Sequence, residues 1–477
     1  MSFTETHVNM FGGSPLNRLS WLRTSHKFLN AIIEAPNAKW VVFNAGQPLL
    51  LSGQAKPTPA LLSTADIKPL LGNVPYFGQG EKDGELVVEK DGEDHSHLLH
   101  SPTEAARHRG VRVTFLGLHE PPSDDSSTAL PSTEFSDAAS ALEKLQGTPY
   151  FTVDLADLEY SEEQINNFLQ TTSSSQAGNE LAWSEPRALM TTLDPFTAAI
   201  FALARSMADW NLRNKFCPGC GTQSYSMWGG WKIACGTLLP WVDNSKTKPC
   251  MTRRGLHNFT HPRTDGVVIM IAIDETGEKI LLGRGRKFPG KFYSALAGFI
   301  EPGESFEDAV SREMWEEAGI RVWNVKYHSG QPWPYPSTLM VGFYARADST
   351  KTIRTDLDNE LVDAKWFTRE EVLAVLNHRV GTRFDNADHK KMTEHFEGKP
   401  LTTSDKPGTL EPAVQAFSPP DENSTVKTKP VEETPLKDEP AFKLPPTTAI
   451  AGVLIRDWAE GRIKFPPENT QVRKVNL

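Results

Sequence analysis

The chain has 477 residues, room for two to four domains, with 38% apolar residues and a formal net charge of −10. That acidic balance excludes the global basic character of a dedicated nucleic-acid binder, though not a local basic groove. No apolar run reaches the roughly 18 residues of a membrane span, and the opening MSFTETHVNMFGGSPLNRLSWLR has no apolar stretch of the secretory type.

Residues 1–195 read as an N-terminal α+β domain with mobile loops. Lys39–Leu51 (KWVVFNAGQPLLL), Val111–Leu118 and Tyr150–Leu158 are strand-like, with a turn at Asn44–Gln47 around Gly46, and Ala138–Leu145 is helix-like. The polar tracts 78–110 and 121–136 carry too much charge, Ser and Pro to bury, so both are expected to be mobile. His95, His97 and His100 are read as part of a solvated loop, because nothing nearby fixes a metal-binding geometry.

Residues 196–258 read as a helix followed by a zinc ribbon. Asp194 can cap the helix and Pro195 suits its first turn, and Ile200, Leu203, Met207 and Trp210 make its core-facing stripe. All four cysteines of the chain then follow: Cys217 and Cys220 in a C-x2-C knuckle, Cys235 and Cys250 further on. Four thiolates complete a closed tetrahedral Zn²⁺ site, whose role is structural because no position stays open. Disulfides and free thiols are the alternatives, and a chain without a secretory signal is expected to hold no disulfides.

Residues 259–385 contain strands at Gly266–Asp274, Lys279–Gly283, Val322–His328, Leu339–Arg346 and Asp363–Phe367, and a helix at Arg369–Leu376. Their centre is GFIEPGESFEDAVSREMWEEAGI, residues 298–320. Ser305 and Asp308 suit a capping box, Phe306, Ala309, Val310 and Met314 make an apolar helical face, and Gly319 can end the helix. Glu313, Glu316 and Glu317 crowd the opposite face at i, i+3 and i+4, where like charges repel. A hard divalent cation reverses the sign of that interaction, and Arg312 can orient the cluster. Gly298, Pro302 and Gly303 form a tight loop able to bring Glu304 to the same face. The stretch fits G-x5-E-x7-R-E-U-x-E-E-x-G-U throughout and resembles the Nudix box, with Met314 and Ile320 as the apolar positions.

Eleven residues beyond, QPWPYPST resembles the SQPWPFPxS signature of the NADH pyrophosphatase branch. Departures are Gly330 between Ser329 and Gln331, Tyr335 for Phe, and Thr338 for the final Ser. Its three prolines predict an extended backbone that presents Trp333 and Tyr335 as stacking faces for nicotinamide or adenine. The alternative is a Pro-rich turn that plugs an apolar edge. Residues 386–445 read as a disordered Pro/Thr/Glu/Lys-rich insertion, and 446–477 as a C-terminal helix, Thr448–Glu460, that packs back through Ile450, Val453, Leu454 and Trp458, followed by a tail. The closing Val475-Asn476-Leu477 is a weak version of a peroxisomal tripeptide; cytoplasm is the alternative location.

The resemblance extends to a zinc ribbon before a Nudix domain and to the opening PLNRLSWLR. It implies a fold of class α+β, with a Nudix α/β/α sandwich on a mixed sheet. It also implies hydrolysis of the pyrophosphate of NADH or NAD⁺ to AMP and (reduced) nicotinamide mononucleotide. Two or three Mg²⁺ or Mn²⁺ ions would be held by Glu313, Glu316 and Glu317, the Ala297 carbonyl and Glu360. Glu317, Glu313 and Glu316 are the implied catalytic residues. Phe299, Gln331, Pro332, Trp333, Pro334, Tyr335, Pro336, Ser337, Thr338 and Ala451 would bind substrate, in a homodimer. Removal of the NAD cap from RNA, hydrolysis of ADP-ribose and a non-catalytic zinc-ribbon binding module are the alternatives.

Overall fold

A computed structural model describes residues 8–53, 58–87, 101–121, 146–158, 160–245, 250–253, 259–286, 288, 290–358, 360–384 and 440–463. The expected helix 138–145, the three histidines of 95–100, nearly all of the 386–445 tract and the tripeptide 475–477 lie outside these residues. The chain divides into two compact units: Phe11–Thr264 with Pro332–Thr338, and Met1–Met10 with Asp265–Gln331 and Leu339–Leu477.

In the first unit, β1 (Lys39–Asn44) and β2 (Gln47–Ser52) form the expected hairpin. Ala45 and Gly46 both take positive φ at its turn, and the buried Asp154 carboxylate accepts both of their N–H groups at 2.9 Å. β3 (Thr58–Pro59) pairs with β2 and β4 (Leu61–Leu62) with β1. β5 (Val113–His119), β6 (Thr148–Asp154) and β7 (Glu180–Trp183) complete the sheet, whose main order is β3-β2-β1-β6-β5, with β1 and β6 parallel and β7 on β2. Trp40, Phe115 and Phe151 fill the core under α1 (His26–Ile32) and α2 (Thr64–Leu71). α3 (Glu162–Thr171) adds Ile165 and Phe168, and the long α4 (Pro195–Arg213) is capped by Asp194 as its sequence predicts. The tract 101–110 is not loose where it is described. Ala105 and Ala106 are fully buried, and the 2%-exposed Arg107 donates to the carbonyls of Val111, Tyr76 and Leu71. One arginine that satisfies three backbone carbonyls fixes a segment whose composition alone suggests motion.

The cysteine hairpin β8 (Ser224–Met227) and β9 (Lys232–Cys235) belongs to the same unit. The segment 331–338 differs from expectation. It is the tip of a hairpin between β13 (Val322–Trp333) and β14 (Thr338–Ala347), and residues 334–337 turn rather than extend. The Tyr335 N–H donates back to the Trp333 carbonyl at 2.9 Å, which closes that turn.

The second unit holds a mixed sheet of order β13-β14-β10-β11-β15, from β10 (Asp265–Ile273), β11 (Lys279–Gly285) and β15 (Leu361–Thr368), with β12 (Leu296–Phe299) on β10. Strand alternation on β10 builds two cores. Val268, Met270 and Ala272 face α5 (Phe306–Ala318) through Ala309, Val310 and Met314. Ile269, Ile271 and Ile273 face α6 (Arg369–Leu376) and α7 (Ile450–Ala459) through Val372, Leu454, Ile455 and Trp458. This helix/sheet/helix layering is the sandwich expected from the box.

Candidate active site and cysteine cluster

Local sequence sets the direction of α5. Ser305 and Asp308 make both halves of a capping box, and Gly319 ends the helix at φ 67°. That fixes which residues face β12. Val268 of β10 pairs with Gly298 of β12, and a side chain at Gly298 would collide with the Glu313 carboxylate, with a Cβ only 1.8 Å from Cδ. The glycine is therefore the space in which Glu313 lies.

Arg312 gathers the acids with all five of its N–H groups. Nε and Nη2 grip Glu304 at 2.6 and 2.9 Å, Nη1 reaches Glu313 at 2.8 Å and Glu316 at 3.0 Å, and Nη2 also reaches the Phe299 carbonyl at 2.8 Å. The loop thus does carry Glu304 to the helix face. Glu304 falls below the ordinary glutamate range because Arg312 donates to it. Glu317, with no arginine, lies 4% exposed and accepts the Ala297 N–H at 3.1 Å. Burial first, then the charges of Glu313, Glu360 and Asp358, push its pKa well above the usual carboxylate range. Burial also raises Glu313 and Asp358. Burial and mutual repulsion act on three carboxyls in one place, an arrangement that a bound cation would favour. Hard oxygen donors on Glu313, Glu316, Glu317 and Glu360, beside the Ala297 backbone, fit Mg²⁺ or Mn²⁺ in kind and charge.

The sequence motif missed Asp358. It sits in the loop before β15, and its Oδ1 accepts the Glu360 N–H at 2.9 Å, which shapes the turn that carries Glu360. A D-x-E pattern ahead of a strand was the available signal. Phe299 is 57% exposed at the end of β12, free to meet a ring.

The remaining expected substrate residues divide. Ala451 is buried in the same apolar cluster that Ala297 packs against. Gln331 is wholly buried: its amide donates to the Met10 and Thr448 carbonyls at 3.1 and 2.9 Å, and its oxygen accepts the Ile450 N–H at 2.7 Å. Its hydrogen bonds tie chain segments together, so it is a clamp at the start of α7 rather than a hand offered to substrate. Tyr335 is likewise no open stacking face. It is 6% exposed within the first unit, its hydroxyl donates to Pro186 at 3.2 Å, and the Arg187 guanidinium lies 4.3 Å over its ring. Pro334 is buried there too, its carbonyl bonded by Arg205, and the Pro336 carbonyl accepts from Ser206 at 3.2 Å. Ser337 and Thr338 bond backbone carbonyls of Arg263 and Trp333. Pro332 and Trp333 stay half-exposed, with the indole edge-on to Tyr335 at 5.1 Å.

The four cysteine sulfurs lie within 4.8 Å of one another. Cys220 and Cys235 approach to 3.3 Å and Cys217 and Cys250 to 3.6 Å, with all four thiols free. A disulfide needs about 2.05 Å, whereas a tetrahedron of thiolates about 2.3 Å from zinc spaces its sulfurs by about 3.8 Å. The Cys217 knuckle is tied by Gly221 N–H to Cys217 O at 2.7 Å and Cys217 N–H to Thr222 O at 2.8 Å. Hydrogen bonds from Thr222 lower the Cys220 thiol to about 6, while burial raises Cys217 and Cys235. The donor set fits Zn²⁺ without an open position.

A carboxylate-bearing helix laid against a mixed sheet, with an arginine assembling its acids, defines the class as that of the Nudix fold. Known proteins agree. The "NUDIX domain" family matches residues 262–395, and the "NADH pyrophosphatase-like rudimentary NUDIX domain" family matches 37–210. A Schizosaccharomyces pombe protein named "NAD-capped RNA hydrolase" is 31% identical over 372 residues, spanning 77% of this chain and 85% of its own. The Saccharomyces cerevisiae "NAD-capped RNA hydrolase NPY1" is 29% identical over 79% of this chain and 89% of its own. The human "NAD-capped RNA hydrolase NUDT12" is 48% identical over 38% of this chain and 36% of its own. The chain belongs to the Nudix hydrolases, in the branch that carries the NADH pyrophosphatase-like rudimentary domain.

Proposed function

We propose that this chain hydrolyses the pyrophosphate of a nicotinamide dinucleotide, with the NAD cap of RNA as the favoured form of substrate. The observation that carries the reaction is geometric: Glu317 is buried against the Ala297 N–H, and Arg312 holds Glu313 and Glu316 on the same helix beside Gly298. The relatives' names favour the RNA-linked form. Free NADH and NAD⁺ are the second reading, carried by the match of residues 37–210 to the NADH pyrophosphatase-like domain.

Glu313, Glu316, Glu317, Glu360 and the Ala297 carbonyl would hold the divalent ions. Those ions supply charge neutralisation at the diphosphate and a lowered pKa for water. The protein's own part is positional. Arg312 orients Glu313 and Glu316 and keeps Glu304 on the same face; the Ala297 N–H fixes Glu317; Gly298 leaves room for Glu313. Phe299 offers a ring face beside them. The four cysteines would hold one structural Zn²⁺.

The deciding experiment incubates the purified chain with Mg²⁺ or Mn²⁺ and NADH, NAD⁺, ADP-ribose or NAD-capped RNA, and identifies products. Nicotinamide mononucleotide with AMP, or with 5′-monophosphate RNA, is expected, with capped RNA preferred and EDTA abolishing turnover. Hydrolysis of ADP-ribose alone, or of none of the panel, overturns the proposal.

A further inference from the structure

The segment PLNRLSWLR takes no part in the chemistry above, yet it holds two charges that no carboxylate among the described residues compensates. Arg18 and Arg23 flank the short turn Ser20–Leu22, and both guanidinium groups lie over the indole of Trp231, at 5.8 and 3.8 Å. Arg23 is 8% exposed; its Nε and Nη2 donate to the Arg18 carbonyl at 3.2 and 3.0 Å. Arg18 reaches Ser14 Oγ at 3.3 Å with Nη2, while its buried Nη1 has no partner among the described residues. Neither arginine has a carboxylate partner among the described residues; the Glu120 carboxylate is taken by Asn17 at 3.0 Å. Burial and the charge of Arg18 lower Arg23 to about 9.

The neighbouring turn repeats the theme. Trp228 and Trp231 lie at the bend between β8 and β9, and the Lys232 ammonium sits 4.2 Å over the Trp228 ring. Lys232 does have a counter-charge, since Glu104 attracts it and accepts the Trp228 indole N–H at 3.2 Å. His261 feels the charge of Lys232. The imbalance is therefore confined to the two arginines. Withdrawing like charges from water without an anion is costly, and an indole face offsets only part of it. A guanidinium fork fits a phosphate in shape and charge. Alternating cations and rings suit a single-stranded nucleic acid, whose phosphates repeat and whose bases stack. Trp21, 42% exposed between the two arginines, supplies a ring at the surface.

We propose that Arg18 and Arg23, with the Trp228–Lys232 bend, form a phosphodiester-binding face for the RNA body that follows the cap. This rests on the capped-RNA reading for its purpose, though RNA binding itself can be measured apart from cleavage. NADH has no phosphodiester chain, so the face is idle toward the free dinucleotide.

The test uses the full chain and two readouts. Binding of an uncapped 20-nucleotide single-stranded RNA is followed by fluorescence anisotropy over a salt series, without added Mg²⁺. Arg18→Gln is expected to weaken binding about tenfold at low salt and to reduce the log–log salt slope by about 0.7, the loss of one phosphate contact. Arg23→Lys, which keeps the charge but not the fork, should fall between. Turnover of NADH should not change in Arg18→Gln, and the melting temperature should stay level or rise, because one of two like charges has gone. Unchanged RNA affinity and slope in a folded Arg18→Gln chain overturn the proposal. So does displacement of the RNA by an acidic or phosphorylated peptide of lower charge, which would assign the face to a protein. RNA binding lost in Arg18→Gln alongside no turnover of capped RNA by the wild type sinks the cap reading and leaves this face standing. Turnover of capped RNA that Arg18→Gln leaves unchanged, with RNA binding also unchanged, does the reverse.

Discussion

Glu317 combines burial, three acidic neighbours and a single backbone donor. Substituting Gln keeps the shape and removes the charge that a cation would meet. Turnover of Glu317→Gln should fall by at least about a hundredfold, since even the outer partners of metal ligands matter by 10–100-fold. Its metal-free melting temperature should stay level or rise, because a buried charge has gone. Near-normal kcat would remove Glu317 from the catalytic set. In the metal-free protein the carboxyl holds its proton more tightly folded than unfolded, so its contribution is intact at acid pH. That contribution is lost as pH rises through the raised folded value. Mg²⁺ should restore it, so the Mg²⁺-induced rise in melting temperature should grow with pH above the usual glutamate range and vanish in Glu317→Gln. A shift equal at every pH would count against this. Gly298→Ala should cost about a hundredfold in kcat by displacing Glu313, with the fold kept. At this scale the sequence was informative where spacing dictates geometry: Glu313, Glu316 and Glu317 share a face because a helix must put them there. It was silent on Arg312 using every donor, because side-chain reach across a loop leaves no periodicity.

Among elements, the hairpin tip 332–338 is the instructive case. Proline content predicts an extended run, but the tip turns, and the two aromatics part company: Tyr335 is packed away and Trp333 remains half-exposed. Trp333→Ala should therefore lower kcat/KM for NADH by about ten- to a hundredfold and for ADP-ribose by less, as loss of a ring stack of ~1–3 kcal/mol requires. Tyr335→Ala should instead destabilise by about 3–5 kcal/mol, a cavity effect, and harm both substrates alike. Equal losses on the two substrates in Trp333→Ala would return that residue to packing. The helices after Ser305, Thr368 and Asp194 lie close to their expected bounds, because a cap is a local signal, whereas α1, α2 and α3 were not expected although Ser25, Ser63 and Ser161 cap them in the same way. The hydrogen bonds of Gln331 are not legible in the sequence for the opposite reason. Its partners at Met10, Thr448 and Ile450 are more than a hundred residues away, and nothing local announces them.

For the molecule as a whole, the cysteine cluster ties Cys217 to Cys250 across the loops around β8 and β9. Elemental analysis should find one zinc per chain, and Cys217→Ser should lower the stability of the first unit far more than it alters metal-dependent cleavage constants. Absence of zinc from metal-replete protein, or a disulfide on thiol titration, would contradict this. The cluster was readable from cysteine arithmetic. The sheet of the first unit was readable only in pieces, because β1 and β6 are parallel partners separated by about a hundred residues that include β2 to β5 and α2.

The clamp at Gln331 also bears on synthesis. The ribosome delivers β10 to β15 and α6 before α7, and one whole face of the β10 sheet, with Ile269, Ile271 and Ile273, is covered only in part by α6. At about 5–20 residues per second the chain between Leu376 and Ile450 takes several seconds to emerge. Throughout that interval the nascent enzyme has its carboxylate helix in place, yet exposes an oily surface and leaves the Gln331 amide waiting for Thr448 and Ile450. Closure of that face is thereby deferred until α7 emerges, and a chain cut short before α7 should expose Ile269, Ile271 and Ile273 as an adhesive apolar surface.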